Sequence, residues 1–363
     1  MEPAANDPPA PDVTIRMYRY ILVTFVLLQA GLLFAAEPAG WIGDKVFARK
    51  PGSTIVWIPG AVPGSRVATT LLYLDYTVVD EEKTHIGIRL FVNGRTTIGR
   101  IAKGDVVRLA DAPDFYTKVL AASPTNDAAH LQRGWAHHLL GHMDEARDDY
   151  DKAVVTRAKT WFAWNNRALI RIDAGDYKGA VEDVEKAAKL NPQSPVPKYV
   201  RGLVHVRERE VSEAIMEFEA ALKIDPNYTV AILDRGAAHE LQGSFDLARI
   251  DYETACRLDP GDAIAWSRRA WLLSAHPNPD HRHGRNAVGY AKIACELSRW
   301  KDAVCLAGLA AAYAEMGNFD AAVKWQQKAL EDAKYRRIHG TYGNAVLESY
   351  RQKMPVRIVV QEP

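Results

Sequence analysis

The chain has 363 residues, enough for about two domains or for one domain and a long repeat array. Its 46 Lys and Arg residues balance 45 Asp and Glu residues to a formal net charge of +1, which excludes nucleic acid as a main partner, because phosphate contacts need surplus cations. A mean hydropathy of -0.22 excludes a polytopic membrane protein, and three cysteines supply neither a disulfide framework nor a CxxC pair.

The first residues divide into two segments. Residues 1–15 are rich in Pro, Ala and Asp without an apolar period, which predicts disorder. Residues 16–36 then place Arg16 and Arg19 before an uncharged run over residues 20–36, and Glu37 follows it. This asymmetry indicates a signal peptide or a single membrane anchor, so we expect an extracytoplasmic protein, secreted, periplasmic or membrane-anchored. A buried core helix is the structural alternative.

Short β-branched and aromatic runs over residues 43–110 predict a small β module. The expected strands are Lys45–Ala48, 54–58, 67–79, His85–Val92, 95–101 and 106–109, with Asn93-Gly94 as a hairpin turn. Gly43-Asp44-Lys45-Val46, Gly99-Arg100-Ile101 and Asp105-Val106-Val107 resemble the bacterial SH3-like domain. That resemblance implies a small all-β barrel that either binds peptides or docks on a neighbouring domain.

From Asp127 onward, small residues recur every 34 residues. One set is Gly134, Ala168, Gly202, Gly236 and Ala270, and alanines follow its first four members at Ala146, Ala180, Ala214 and Ala248, then at Ala153, Ala187, Ala221 and Ala255. Small residues let two helices approach closely, and large residues fill the space beside them at Tyr150, Val184, Phe218 and Tyr252. Turns between helices are marked by Gly141, Gly175 and Gly243, and units end at Asn191-Pro192, Asp225-Pro226 and Asp259-Pro260.

This pattern resembles the signature of the tetratricopeptide repeat family. The resemblance implies an α-solenoid of about six helix-turn-helix repeats over residues 111–335, with Ala112–Ala122 as a cap at one end. Arg209 stands where the third unit would have its turn glycine, and the fifth unit carries an insertion at residues 276–284. Within residues 336–363 we expect a break at Gly340 and a capping helix over 342–353 that docks through Leu347 and Tyr350.

A row of arginines goes beyond the family pattern. The residue before each member of the first set of small residues is an arginine: Arg133, Arg167, Arg201, Arg235 and Arg269. An acid follows the first four of these arginines sixteen residues later, at Asp149, Asp183, Glu217 and Asp251. The fifth unit has Tyr290 in place of the acid, and the sixth has Leu309 and Trp325 in place of both charges. We expect a ladder of ion pairs between helices, within or between adjacent units; the alternative is an arginine row that binds an anionic ligand.

The resemblance also implies a partner site, because ligands of the family lie in a concave groove lined by the first helix of each repeat. The corresponding positions here are Leu131, Trp135, Phe162, Asn165, Leu169, Tyr199, Leu203, Leu233, Ala237 and Trp271. Modules that clamp a C-terminal carboxylate have Lys and Asn where this chain has Leu131 and Trp135, so an apolar peptide is the expected ligand. The alternative is that these rings pack between successive helices or against the β module.

Motifs for catalysis and cofactor binding are missing from the sequence: G-x-S-x-G, G-x-G-x-x-G and G-x-x-x-x-G-K do not occur. We therefore expect no catalytic, cofactor or metal residues and a non-enzymatic protein-protein interaction scaffold. A rival enzyme or metal protein would use His276, Asp280, His281 and His283 of the inserted loop. A third possibility is a purely structural envelope component. Cys256 and Cys295 occupy equivalent positions and are expected in the core.

Overall fold

The computed structural model describes residues 45–49, 76–92, 95–156 and 161–358. Residues 1–15 and 16–36, the strand predicted over 54–58 and the Asn93-Gly94 turn lie outside these ranges. Within the described ranges, no helix combines the length and the apolar character needed to cross a bilayer.

In the described residues of the β module, five strands pair antiparallel in the order β4-β3-β2-β1-β5. They are β1 (Lys45–Ala48), β2 (Tyr76–Glu81), β3 (His85–Val92), β4 (Arg95–Ala102) and β5 (Val106–Arg108). β3 and β4 pair over their whole length, from His85 opposite Ala102 to Val92 opposite Arg95. Ile86 and Ile88 of β3 are both buried, as expected for alternate β-branched residues on one face of a sheet.

The strands over Lys45–Ala48 and His85–Val92 lie where the sequence predicted them, and β2 covers the end of the run predicted over 67–79, whose earlier residues lie outside the described ranges. The closed SH3-like barrel is not seen. In the described strands β4 and β5 are the two edges of the order and do not pair with each other, and residues 50–75 lie outside the description. Closure of a barrel requires its two edge strands to pair, and strand propensity alone does not specify such non-local pairing.

Fourteen α-helices follow in the described part of the chain. They are α1 (Ala112–Ala122), α2 (Asp127–Leu140), α3 (Met143–Thr156), α4 (Trp161–Ala174), α5 (Tyr177–Leu190), α6 (Val196–Glu208), α7 (Val211–Ile224), α8 (Thr229–Leu241), α9 (Phe245–Leu258), α10 (Ala263–Ala275), α11 (Gly284–Leu297), α12 (Ala303–Glu315), α13 (Phe319–Glu331) and α14 (Ala333–Arg351). The pairs from α2/α3 to α12/α13 are the six predicted repeats. In each pair we call the first member helix A and the second helix B.

Local residues set the ends of these helices. The side chains of Asn126, Asp262 and Asp302 accept hydrogen bonds from backbone amides of the first turns of α2, α10 and α12. At the turn after α6, Arg209 adopts the left-handed conformation with φ of 67°, close to the φ of 81° at Gly141 after α2. The third repeat therefore has the same turn conformation as the first, although a side chain makes this left-handed conformation less favourable than it is for glycine.

Helices A and B approach closely at the predicted small residues. A Cβ atom added to Gly202 would lie 2.6 Å from Cε1 of Phe218, and one added to Gly134 would lie 2.8 Å from Cε1 of Tyr150. The alanines of both predicted sets are buried in the first four repeats, as are Tyr150, Phe218 and Tyr252. The 34-residue period therefore predicted the core of the repeats correctly.

The described residues divide into two compact units. The N-terminal unit holds the residues up to Ala238 together with Thr254–Pro260, and the C-terminal unit holds His239–Glu253 and the residues from Gly261 onward. In the N-terminal unit the β module docks on the first repeat, because Phe47 of β1 and Val107 of β5 share a buried cluster with Tyr116 of α1 and Ala136 and Leu139 of α2. Docking of the β module, one of the two predicted roles, is therefore observed.

The C-terminal unit corrects one expectation. α14 runs without a break from Ala333 to Arg351, so Gly340 lies inside the helix and does not end it. The Asp332 side chain caps the start of α14 by accepting from the Tyr335 amide at 2.7 Å. Leu347 and Tyr350 are buried, as predicted for docking residues, and their burial outweighs the unfavourable helix propensity of Gly340 and Gly343, about 1 kcal/mol each.

Candidate functional site on the helix-A face

The residues predicted to line a groove lie on the helices A. All of them except Trp271 belong to the N-terminal unit, and we call the surface that they form in that unit the helix-A face. Asn165, Tyr199, Leu203 and Leu233 are buried, as are Leu131 and Ala237, whereas Trp135, Phe162, Leu169 and Trp271 are partly exposed. The prediction therefore located the face, but more than half of the named side chains are packed inside the array.

Tyr199 shows how this packing arises. Its hydroxyl donates to Oδ2 of Asp234, one repeat later, at 2.8 Å, and its ring contacts those of Phe218 and Tyr228. Burial, with a smaller contribution from Asp234, raises the pKa of Tyr199 well above its usual value. Tyr199 therefore joins successive helices A of the N-terminal unit, as the packing alternative expected.

The two tryptophans of the predicted groove are also engaged. Trp135 packs against the cluster that joins the β module to the first repeat. In the C-terminal unit, Nε1 of Trp271 donates to Oε1 of Glu240 at 3.0 Å, and the Tyr252 hydroxyl donates to Oε2 of Glu240 at 2.9 Å. Burial raises the pKa of the Glu240 carboxyl, while Arg268 and these two hydrogen bonds lower it. Both tryptophans thus have structural partners.

One helix of the N-terminal unit keeps an accessible apolar face. Phe162 and Leu169 of α4 are partly exposed, and Asn165 lies between them at helical spacing on the same side. Asn165 is 2% exposed, and neither atom of its amide has a hydrogen-bond partner in the described structure. An unsatisfied buried amide costs about 1–3 kcal/mol. Repeats one and four have Leu131 and Leu233 at this position.

The arginine row forms ion pairs within repeats. Arg133 contacts Asp149 through Nε at 2.8 Å and Nη2 at 2.7 Å, and Arg167 contacts Asp183 in the same bidentate way at 2.7 Å. Nη2 of Arg201 lies 2.6 Å from Oε1 of Glu217. The fourth predicted pair, Arg235 with Asp251, spans the two units and stays a prediction.

The arginines also have a second set of partners, on the preceding helix, which the spacing to later acids did not predict. Nη1 of Arg167 also contacts Oδ1 of Asp151, sixteen residues earlier on the preceding helix B, at 2.8 Å, and Arg133 donates to Oγ1 of Thr117 at the equivalent position of α1. The sequence carries this signal, because acids stand two residues after the predicted ones at Asp151, Glu185, Glu219 and Glu253. Arg133 and Arg167 therefore each link their own helix B to the preceding helix.

The fifth repeat keeps the arginine with different partners. Arg269 lies 3.3 Å from Oε1 of Glu253, and its guanidinium lies 4.1 Å from the ring centroid of Tyr290, the residue that replaces the acid. A cation over an aromatic face is stabilised by the ring quadrupole. Since Arg133, Arg167, Arg201 and Arg269 already have intramolecular partners, the geometry favours the structural ladder over a site for an anionic ligand.

The described structure does not bring three potential metal ligands of the histidine-rich insertion into one group. Within the described residues, the one group of three potential ligands whose atoms lie within 4.8 Å of one another is His205, Glu208 and Glu210 at the α6–α7 turn of the N-terminal unit. His276 is buried and its Nδ1 accepts from the Asn278 amide at 3.0 Å, while its ring stacks on that of His281. The three cysteines are buried and form no disulfide with one another in the described structure.

Pairs of helices, each helix 13 or 14 residues long, repeat along the chain with the same packing between helix A and helix B. This arrangement defines a helical-repeat solenoid. Matches to the tetratricopeptide repeat family cover residues 108–163, 161–194, 199–263 and 303–341, together more than half of the 363 residues. The chain belongs to the tetratricopeptide repeat family.

Two known proteins illustrate the relationship. Over 75 residues the chain is 37% identical to the heat-shock protein cognate co-chaperone sgt12 of Aspergillus fumigatus, a match that covers 21% of this chain and 22% of that protein. A chain in the crystal structure of the APC/C hetero-tetramer Cut9-Hcn1 superposes with a TM-score of 0.54 at 14% identity, covering 64% of this chain and 46% of that one. The chain thus spans less than half of either protein, and the second likeness shows the fold alone.

Proposed function

We propose that the protein is an exported, non-enzymatic scaffold that binds an apolar peptide segment of a partner protein on the helix-A face. The observation that carries this proposal is the surface of α4. There Phe162 and Leu169 offer apolar contact on either side of the unsatisfied Asn165 amide. Apolar anchors beside one polar group that fixes orientation are typical of peptide-binding grooves.

The chemistry of the site indicates the class of partner. An extended or helical peptide supplies apolar side chains to Phe162 and Leu169 and a backbone or side-chain group to the Asn165 amide. A ligand recognised by its C-terminal carboxylate fits less well, because Leu131 is buried and Trp135 is packed at the positions where the family's carboxylate-binding Lys and Asn would lie.

The experiment uses a peptide library displayed on phage and selected against the immobilised full chain. Asn165→Leu is the sharpest variant, since it removes an unsatisfied buried amide and should leave the thermal midpoint unchanged or raise it. We expect selected peptides to bind this variant at least tenfold more weakly than the original chain. Met216→Glu, a change on helix B of the third repeat at a side chain that is 61% exposed, is the control and should not alter affinity.

Two results would contradict this function. One is a selection that yields no saturable ligand. The other is a ligand that binds the Asn165→Leu and Met216→Glu variants equally well, which would move the binding surface away from α4.

Export is a further part of the proposal, and it rests on Arg16, Arg19 and the uncharged run over residues 20–36. A phosphatase that is active only outside the cytoplasm, fused after residue 363, should be active when the full chain is produced in a bacterium. Replacing Leu27 and Leu28 by arginine should abolish that activity. Equal activity of the two fusions would show that the run does not direct export.

We also propose that residues 43–110 close into an SH3-like barrel that orients the array. The pairing of β1 with both β2 and β5 and the shared cluster with α2 support this arrangement. Nuclear Overhauser contacts between the edge strands β4 and β5, or through residues 50–75, would demonstrate closure; edge strands without such neighbours would show an open sheet.

A further inference from the structure

The chain folds back on the C-terminal unit after α14 ends. The Met354 amide donates to the Ser349 carbonyl at 2.8 Å, and residues 354–358 then form neither helix nor strand. We call residues 354–358 the return segment. Its last residue, Ile358, is 2% exposed, so the segment is packed onto the repeats.

The return segment binds the end of α10 through the backbone. The Ile358 amide donates to the Ala275 carbonyl at 2.7 Å, and Nη1 of Arg357 donates to the Ser274 carbonyl at 3.3 Å. Ser274 and Ala275 are the last two residues of α10, where helix carbonyls have no partner in the next turn. The negative end of the helix dipole also attracts the Arg357 guanidinium. This end of the helix therefore selects a cation followed by a backbone donor.

A carboxylate completes the binding of Arg357. Oε2 of Glu315, the last residue of α12, lies 2.8 Å from Nη1 of Arg357, and Oε1 of Glu315 lies 3.2 Å from Nε of Arg282. Arg282 belongs to the inserted loop and also donates to the carbonyls of His276 and Pro277. The insertion thus holds the Glu315 side chain in place beside the position that Arg357 occupies.

Apolar contacts flank the arginine on both sides. Val356 packs against the cluster that includes Ala310 and Ala314 of α12 and Val346 and Tyr350 of α14. Ile358 is buried on the other side of Arg357. Val356 and Ile358 therefore pack onto the unit on either side of Arg357 in the chain, while the long Arg357 side chain reaches Glu315.

We propose that this is a second peptide site, occupied by the chain's own return segment. It selects an extended segment with an arginine between two β-branched residues, as in Val356-Arg357-Ile358. The same motif in another polypeptide then binds there when it displaces the return segment. The proposal does not depend on the α4 surface, which lies in the other unit.

The return segment already occupies the site, so it competes with any free peptide. A segment tethered to its site acts at an effective concentration in the millimolar range, so a free peptide binds weakly until the tethered segment is released. Arg357→Glu releases it, because the new carboxylate faces Glu315 and two helix carbonyls. The full chain carrying this change should then accept a free peptide.

The probe is a fluorescein-labelled synthetic peptide with the sequence of residues 352–363, measured by fluorescence anisotropy. We expect the Arg357→Glu chain to bind it saturably and at least tenfold more tightly than the unchanged chain. Adding Glu315→Gln to that chain should weaken binding at least tenfold, as should a glutamate in the peptide in place of its arginine. Adding Glu348→Gln, which changes an exposed carboxylate of α14 paired with Arg351, is the matched control and should leave binding unaltered.

Equal binding by the unchanged and Arg357→Glu chains would overturn the proposal, as would binding that is indifferent to Glu315→Gln. If the thermal midpoint shows that Arg357→Glu unfolds the chain, Arg357→Gln replaces it with the same expected order of affinities. Failure of this site leaves the library selection on α4 unaffected, so the two proposals are distinguishable.

Discussion

Asp183 is the most deeply buried acid of the ladder in the N-terminal unit. It is 0% exposed and pairs with Arg167 at 2.7 Å and with Arg171 at 3.0 Å. Removing one member of a buried ion pair leaves the other uncompensated, which costs about 3–5 kcal/mol. We therefore expect Asp183→Ala to lower the free energy of unfolding by about that amount, measured by urea denaturation followed by circular dichroism.

The matched control for this change is Asp144→Ala in the same unit. Asp144 is 84% exposed and pairs with Arg147 on one helix, and surface pairs of this kind contribute about 0–1 kcal/mol. Similar losses in the two variants would contradict a structural role for the ladder. A double-mutant cycle between Arg167 and Asp183 would then show no coupling.

His339 gives the C-terminal unit a pH dependence. Burial, reinforced by the charge of Arg268, lowers its pKa to about 4, whereas an unfolded histidine has a pKa of about 6.5. Between these values the unfolded chain binds more protons, so this contribution to stability is complete above the unfolded pKa and is lost as the pH falls.

Replacing His339 by Asn should remove this pH-dependent contribution to stability. Between pH 7.5 and pH 5 we expect the original chain to lose about 2 kcal/mol more stability than His339→Asn, since each pKa unit corresponds to 1.36 kcal/mol. The exposed His142, changed in the same way, is the control. Parallel stability curves for the original chain and His339→Asn would show that His339 titrates normally.

Sequence reasoning reached some of these residues and not others, for a physical reason. The pairs of Arg133, Arg167 and Arg201 follow from a fixed spacing between two helices of one repeat, which repetition makes visible. The burial of Asn165 and the return of Arg357 to Glu315 depend on how side chains and distant segments pack, and no period marks them. The partners of Arg167 at Asp151 and of Arg269 at Glu253 were readable and were overlooked.

At the scale of the element, helix pairing depends on glycine in helix A. Gly202→Ala would bring a methyl group within 2.6 Å of Cε1 of Phe218, which is buried and has no room to move aside. Overpacking of this kind costs about 1–3 kcal/mol, more than the gain of about 1 kcal/mol in helix propensity. We expect a lower thermal midpoint in a calorimetric scan.

Gly289→Ala is the counterpart in α11. No atom lies within 4 Å of the added Cβ, and the backbone is helical, so the propensity gain is unopposed and stability should rise by up to about 1 kcal/mol. Stabilisation by both substitutions would mean that helices A and B of the third repeat are farther apart than the structure shows.

The elements themselves were largely predictable. The bounds of α1, β1 and β3 match the predicted ranges, because capping residues, turn glycines and β-branched runs act locally. Gly340 was misread, since the burial of Leu347 and Tyr350 holds α14 together across a glycine that local propensity treats as a break. Closure of the β module is not a local property, and it was not predictable from the strand runs.

At the scale of the whole molecule, the near-zero net charge reflects pairing within the array. The formal charge of +1 combines 46 cations and 45 anions, and arginines such as Arg133, Arg167 and Arg201 face acids on their own repeats. Charges that cancel over a few ångströms leave little long-range field, so we expect short-range contact and not electrostatic steering to govern the proposed recognition of a partner.

The central claim is that a partner protein binds on α4, and site-specific photo-crosslinking tests it most directly. Phe162 is replaced by p-benzoylphenylalanine in cells that produce the full chain, and Met216 is replaced in a parallel culture as the exposed control on α7. Our account predicts discrete protein adducts from position 162, lost on addition of Asn165→Leu, and none from position 216. No adduct at position 162, or the same adducts from both positions, would contradict it.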